Sequence, residues 1–231
     1  MRLVTQNLRH GGGNRISELV KYIAVYEPDI IAFTEFRMNK FQDLADACRQ
    51  AGFMYFEHYA DVPRLNKVAV ASRVPLVIDD VSPLCAGCDL GHLLKFSIGE
   101  FSVIAAYIPI HKDLDTEAYF KRIVEIAHQE PILLLGDLNT GDPDLDGDGY
   151  KFIYSKQYHE LVEAGLADCY RNLVDGNDVS WRHSRGKRRG FRIDHVLAAR
   201  EVMERVTKIE YDHTIREKNL SDHSMLFVDI D

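Results

Sequence analysis

A set of side chains in this chain is suited to work on a phosphate: Asn7, Glu35, Tyr107, Asp137, Asn139, Asp194, Asp222 and His223. Carboxylates and a carboxamide are hard oxygen donors, which Mg²⁺ or Mn²⁺ prefers, and a divalent cation neutralises phosphate charge. A carboxylate can also orient and deprotonate water. A histidine backed by a carboxylate can bind or protonate phosphate oxygens. Singly, each has a plainer role, since a strand-end Asn is often a turn and Asp-His pairs are common on surfaces. What makes the set informative is that its members recur at the ends of apolar runs.

Those runs are the elements that must position the chemistry. Ile132-Leu133-Leu134-Leu135, bounded by Pro131 and Gly136, reads as a strand buried on both faces. It delivers Asp137 and Asn139, two residues apart and so on one side of an extended chain, with Gly136 and Gly141 allowing a tight turn. Leu3 to Asn7 reads as a strand ending at Asn7, and Ile30 to Thr34 as another with Glu35 at its end. Between them Ile16, Leu19, Val20 and Ile23 follow helical spacing, with Asn14 placed to cap and Pro28 to stop the helix. This predicts a parallel strand-helix-strand unit with its ligand groups at the carboxyl ends. Runs from Met54 to Tyr107 predict an antiparallel meander that closes on Tyr107. Helices are expected over about 40–51, 116–129 and 153–164, and further strands over 191–197, which carries Asp194, 206–212 and 225–230.

The chain has 231 residues, 46% of them hydrophobic, and no Pro/Gly/Ser-rich linker, which predicts one domain over residues 1–231. No apolar run approaches the roughly 20 residues of a membrane helix, and Met1 to Asn7 lack a secretory apolar region. The expectation is a soluble, cytoplasmic monomer without a membrane partner. A net charge of -8 argues against a broad non-specific nucleic-acid coat but leaves room for a local basic groove.

Three loops invite competing readings. Cys85 and Cys88 form a CxxC with His92 nearby, but a zinc site lacks its fourth ligand, so a loop with chance cysteines is favoured. Asp142, Asp144, Asp146 and Gly147 match the opening of a calcium loop, but Ile153 stands where a bidentate Glu should close it, so a solvated acidic loop over 142–148 is favoured. The segment from Ser180 to Gly190 is the most basic in the chain and contains Trp181. It reads either as a solvated surface loop or, over 182–192, as an electrostatic clamp on DNA phosphates with an indole available to stack.

The motifs GDLNT, RIDHVL and LSDHS, in that order and with Asn7, Glu35 and Tyr107 at matching places, resemble the endonuclease/exonuclease/phosphatase family, and most nearly its exonuclease III-like branch. The resemblance covers nearly the whole chain. It implies an α/β fold of four layers, an α/β/β/α sandwich in which two mixed β-sheets pack face to face with helices outside. It implies a Mg²⁺- or Mn²⁺-dependent phosphodiesterase acting on DNA by in-line attack of water. Glu35 would be the main metal ligand, supported by Asn7 and with Asp222 close by. Asp137 would activate the water and Asn139 would steady it. Tyr107 would donate to the developing oxyanion or leaving group, and His223, held by Asp194, would contact the phosphate. Trp181 matches a loop that packs beside the sugar of a DNA lesion. Arg182 and Arg185 in the same loop, with Arg9 and His111, are the other expected substrate contacts.

The chain also departs from the family. Gln6 stands where Trp is common, Leu8-Arg9-His10 replaces a small-residue turn, and Ile110 then His111 replace a phosphate-touching amide. These departures open a second expectation, the same centre acting on a small nucleotide or lipid headgroup. A third, from another class, is a non-catalytic interaction module, which would have no need to keep the full ligand set.

Overall fold

The computed structural model describes residues 1–59, 61–81, 89–110, 115–182 and 189–231. Strand β1 (Arg2–Asn7) leads through a short 3₁₀ turn into helix α1 (Ile16–Ala24), which returns to β2 (Ile30–Phe36). Then follow α2 (Phe41–Gln50), β3 (Tyr55–His58), β4 (Lys67–Ser72), β5 (Val77–Asp79), β6 (Leu93–Ile98) and β7 (Phe101–Tyr107). Helix α3 (Thr116–Ala127) leads to β8 (Ile132–Asp137), α4 (Ser155–Glu163), β9 (Ala167–Asp168) and α5 (Cys169–Leu173). A short antiparallel pair, β10 (Trp181–Arg182) and β11 (Gly190–Phe191), precedes β12 (Asp194–Ala198). The described chain closes with α6 (Arg200–Met203), β13 (Val206–Asp212), α7 (Thr214–Glu217) and β14 (Met225–Ile230).

The long strands form two six-stranded sheets, in the orders β13-β14-β1-β2-β4-β3 and β5-β6-β7-β8-β12-β9. Each is mixed. Its parallel pair, β1 with β2 or β7 with β8, lies at the middle, and the remaining pairs are antiparallel. Alternation along the strands explains the layers. Leu3, Ile30, Ala32 and Val70 of one sheet meet Phe96, Val103, Leu133 and Val196 of the other in a shared inner core. Their neighbours Val4, Ile31, Phe33 and Ala71 point outward under α1 and α2, through Leu19, Ile23 and Leu44. Ile104, Ala106 and Leu134 do the same under α3 and α4, through Phe120, Ile123 and Leu161. Because both faces of the central strands are buried, their sequences read as unbroken apolar runs. Each such Leu, Ile or Phe contributes about 1.5–3 kcal/mol by leaving water.

Two expectations are corrected here. The predicted meander is split: β3 and β4 join the first sheet, whereas β5, β6 and β7 start the second. Local hairpin pairing is legible in turn residues, but which sheet a hairpin joins depends on long-range packing. Asn14 does not cap α1, which begins at Ile16 with no side-chain cap bond. The five residues from Arg9 to Gly13 all have positive φ, and backbone bonds from Gly13 N to Gly11 O and Arg15 N to Gly12 O close the turn instead. Among the described residues no helix is long and apolar enough to cross a membrane.

Candidate active site

The carboxyl ends of the two parallel pairs face one another across the inner core. In the second sheet, register does the positioning. Tyr107 on β7 pairs with Asp137 on β8, and Asp137 pairs with Asp194 on β12, so the three stand in one row. Gly136 makes the row possible. At φ 145, a Cβ there would lie 1.9 Å from the carbonyl oxygen of Ala106, so a side chain would force β7 and β8 apart.

The first sheet adds Asn7 and Glu35. Asn7 Nδ2 donates to Asp137 Oδ2 at 2.9 Å, which ties the end of β1 to the end of β8. Glu35 sits at φ 53 within an irregularity of the β2–β4 pairing. A left-handed Glu costs roughly 1–3 kcal/mol and persists only where its surroundings impose it. Here they do: the N–H of His10 donates to Glu35 Oε2 at 2.6 Å, His10 Nδ1 lies 3.0 Å from the same oxygen, and Gly11 N donates to Glu35 O.

Asp137 is buried. Besides Asn7 it accepts from the N–H of Asn139 at 3.0 Å. Even so its carboxyl is pushed well above the usual carboxylate range, first by burial and then by the negative charges of Asp194 and Glu35, against the pull of His223. His223 Nδ1 meets Asp194 Oδ2 at 2.8 Å. Burial alone would lower the imidazole, but Asp194, by charge and by hydrogen bond, lifts it to about 10, with Asp137 and Asp222 adding. Its Nδ1 is therefore held on Asp194 and its Nε2 is set by that bond. Burial, then the charges of Glu35 and Asp137, raise the Tyr107 phenol, which stays a neutral donor. Asn139, at φ 51, is turned so that Nδ2 donates to Ile108 O at 3.0 Å.

Asp222 accepts from Trp181 Nε1 at 3.3 Å and lies 3.9 Å from Arg9 Nε. A backbone bridge between Trp181 and His223, with Arg182 N donating to Asp222 O, fastens β10 to this turn. Asp137, Asp194 and His223 place ligand atoms within 4.8 Å of one another. Asp194 and His223 already engage each other there. Glu35 and Asp222 lie outside that tight group, although the charge of Glu35 is felt at both Asp137 and Tyr107. At Asp137 the charges of Asp194 and Glu35 stand against that of His223, with Asp222 nearby and Arg9, Arg37, Arg182 and Arg216 set around the rim. Such a surplus of negative oxygen donors fits a hard divalent cation.

Of the expected substrate contacts, Arg9, Trp181 and Arg182 stand beside this centre, whereas His111 and Arg185 lie outside the described residues, as do Cys85 and Cys88. His92, the third member of the zinc reading, is buried with Nδ1 on Tyr107 O and Nε2 by Lys67 Nζ. The indole of Trp181 is not simply available, because it stacks on Phe191 at 5.8 Å and an interplanar angle of 10°.

Two loop readings are corrected. Arg192 does not belong to a DNA clamp: it is buried, with Nε on Asp146 at 2.7 Å and its two Nη atoms on the two oxygens of Asp168. The acidic loop is not wholly solvated either, since Asp146 is buried and also accepts from Arg171 Nη2 at 2.8 Å. A carboxylate spent on two guanidinium groups is not waiting for calcium. Ser221, inside the LSDHS motif, joins Asn7 O to the N–H of His223 through its hydroxyl, and two positioning residues had no clear signal in the sequence: His10 on Glu35 and Asn66, whose Nδ2 reaches Tyr107 Oη at 3.4 Å. Only contacts between distant segments reveal them.

The model of the Endonuclease/Exonuclease/phosphatase family matches residues 4–223. The chain is 25% identical to exodeoxyribonuclease III of Haemophilus influenzae, with 99% of each protein covered. Among solved structures it is similar to an AP endonuclease from Archaeoglobus fulgidus, at 21% identity and a TM-score of 0.82 over 100% of this chain and 99% of that one. It is similar to the same extent in fold to a 3′ phosphatase, NExo, from Neisseria bound to a product DNA hairpin, at 22% identity and a TM-score of 0.82 over 100% and 99% of the two chains.

Proposed function

The chain belongs to the endonuclease/exonuclease/phosphatase family, and from that premise we propose that it is a Mg²⁺- or Mn²⁺-dependent DNA phosphodiesterase of the exonuclease III or AP endonuclease type. The observation that carries this reading is the row Tyr107–Asp137–Asp194, with Asn7 and His223 bonded onto it from other elements. The relatives named above, an exodeoxyribonuclease III, an AP endonuclease and a 3′ phosphatase bound to DNA, favour DNA as the substrate.

Glu35 would hold the metal, with Asn7 Oδ1 and Asp222 in support. When bound, the cation neutralises charge on the scissile phosphate and on Asp137. Asp137 aligns the attacking water and takes its proton. Asn7 fixes the carboxylate through Nδ2, and Asn139 steadies water and phosphate. His223, held by Asp194, donates from Nε2 to a phosphate oxygen. Tyr107 donates to the oxygen on which negative charge develops. Donors fixed in a dry site before charge appears account for most of the rate gain in such reactions. Arg9, Arg182, Trp181, Arg185 and His111 would contact the strand. The protein would work as a single-domain monomer in the cytoplasm.

The test is a screen of labelled abasic duplex, blunt duplex, single-stranded DNA, RNA and a chromogenic diester with Mg²⁺ and Mn²⁺. Cleavage of at least one DNA substrate that stops in EDTA is expected. Metal-independent turnover, or hydrolysis confined to the small diester, would sink the reading.

A further inference from the structure

We propose that the cleft bounded by Arg9, Arg182 and Arg216 binds a second phosphate of the nucleic-acid strand, one that is not cleaved. The inference rests on the reading of the chain as a DNA phosphodiesterase and names a subsite for it. The cleft measures about 260 Å³, and His213, Glu217, Asn219, Ser221 and Asp222 complete its lining. Asp222 adjoins His223, so the cleft opens beside the proposed reaction centre and one strand can occupy both.

Its cations are placed by separate elements. Arg9 leaves β1 in a left-handed conformation, its N–H held by Asn7 Oδ1 at 2.7 Å. Arg182 is fixed where β10 bonds to the Asp222 carbonyl. Arg216 rides on α7. Arg15 braces the floor from behind, donating from Nη1 to Leu220 O and from Nη2 to Arg9 O.

The sharpest observation is at Arg216. Its Nη1 is buried and has no hydrogen-bond partner among the described residues. Burial, and then the charge of Arg182, both disfavour its protonated form. The acids whose charge reaches it are engaged elsewhere or exposed: Asp194 holds His223, Asp178 holds His213 and the Tyr170 hydroxyl, and Glu217 is exposed. His213 is itself occupied at both nitrogens, by Ser224 Oγ and Asp178. A buried guanidinium N–H without an acceptor is costly, and guanidinium groups facing each other are reconciled by an anion between them. Phosphate matches the planar donors of Arg, and backbone phosphates recur along a strand.

The test uses a cleavable oligonucleotide in which one linkage at a time, on either side of the cut, is replaced by a neutral methylphosphonate. In the wild type one position should lower kcat/KM about tenfold, the loss of a charged hydrogen bond. Arg216→Met should show that loss on the unmodified strand and no further loss from the neutral linkage. Its log kcat/KM should also depend less steeply on log salt, by about one in slope. Losses that multiply at every position, or a variant equal to the wild type, overturn the subsite. If Arg216→Met unfolds, Arg182→Gln, an exposed position, must give the same pattern, and its failure to do so is equally decisive. If the wild type cleaves a chromogenic diester but no oligonucleotide, it is the DNA reading that fails, and the subsite with it.

Discussion

Two of the buried ionic clusters among the described residues are built on opposite terms. Around Arg192, two carboxylates meet two guanidinium groups. Asp146 accepts from Arg192 and Arg171, and Asp168 accepts from Arg192, from the Tyr158 hydroxyl at 2.9 Å and from the N–H of Arg171. Burial works against the charge on Asp168, yet the Arg192 guanidinium, by charge and by hydrogen bond, brings it down to about 2. Around Asp137 the opposite holds. Asp194, Glu35 and Asp222 gather there with His223, and Asp137 is driven up rather than down. The balanced cluster is finished by folding. The unbalanced one is left with a demand that a cation and a phosphate can meet, and that demand, not burial of charge as such, distinguishes a site from a scaffold.

The comparison breaks most visibly at Arg192. Arg192→Met leaves Asp146 and Asp168 buried without their main counter-charge. The expected cost is about 3–5 kcal/mol, read from urea unfolding. A variant within about 1 kcal/mol of the wild type would mean that the cluster is not the scaffold described.

Asp137→Asn should act mainly on the chemistry. It removes a buried carboxylate crowded by Asp194 and Glu35, but it also turns one of the two oxygens that accept from Asn7 and from the N–H of Asn139 into a donor, so the net loss of stability should stay within about 1–2 kcal/mol. Activity with Mg²⁺ should fall by about 10²–10³-fold, as expected when a group aligned on the reacting atoms is lost. If this variant unfolds as readily as Arg192→Met, the two clusters are not different in kind.

Acid should separate them as well. The folded-state pKa of Asp168, about 2, lies below its ordinary value of 3.8. Its contribution is therefore fully present above about pH 4 and is lost as pH falls from there through 2. The shift corresponds to roughly 2–3 kcal/mol. In Asp168→Asn, stability plotted against pH should flatten over that window. An unchanged slope would place the acid sensitivity elsewhere.

What the sequence disclosed, and what it hid, follows the same division. The apolar runs announced β1, β2, β7 and β8, and with them the strand ends that carry Asn7, Glu35, Tyr107 and Asp137, because alternation and punctuation are local properties of the chain. That Tyr107, Asp137 and Asp194 share one row was not legible, since register between strands distant in sequence is set by packing. Arg192 and Asp146 fall within segments whose charges would ordinarily face solvent, and only a partner 46 positions away makes their burial tolerable. His10 and Asn66 carry no local signal for the same reason: each acts on a residue of another segment.

The smallest expected effect is also the one that refines the boundary of the unbalanced cluster. The attachments of the Trp181 indole include a stacked contact on Phe191 and a hydrogen bond from Nε1 to Asp222. Trp181→Phe keeps an aromatic ring on Phe191 and removes the donor. If the indole serves chiefly to aim Asp222, this variant should need more Mg²⁺ for half-maximal activity. The shift should be about two- to tenfold, the range of one hydrogen bond of about 0.5–1.5 kcal/mol. KM for DNA should hold. Stacking against the substrate predicts the opposite split: Trp181→Phe keeps both values and Trp181→Ala raises KM alone. The 3.3 Å bond to a carboxylate at the rim of an acidic centre favours the first outcome, because an oriented acceptor lets that centre take a cation without first reorganising.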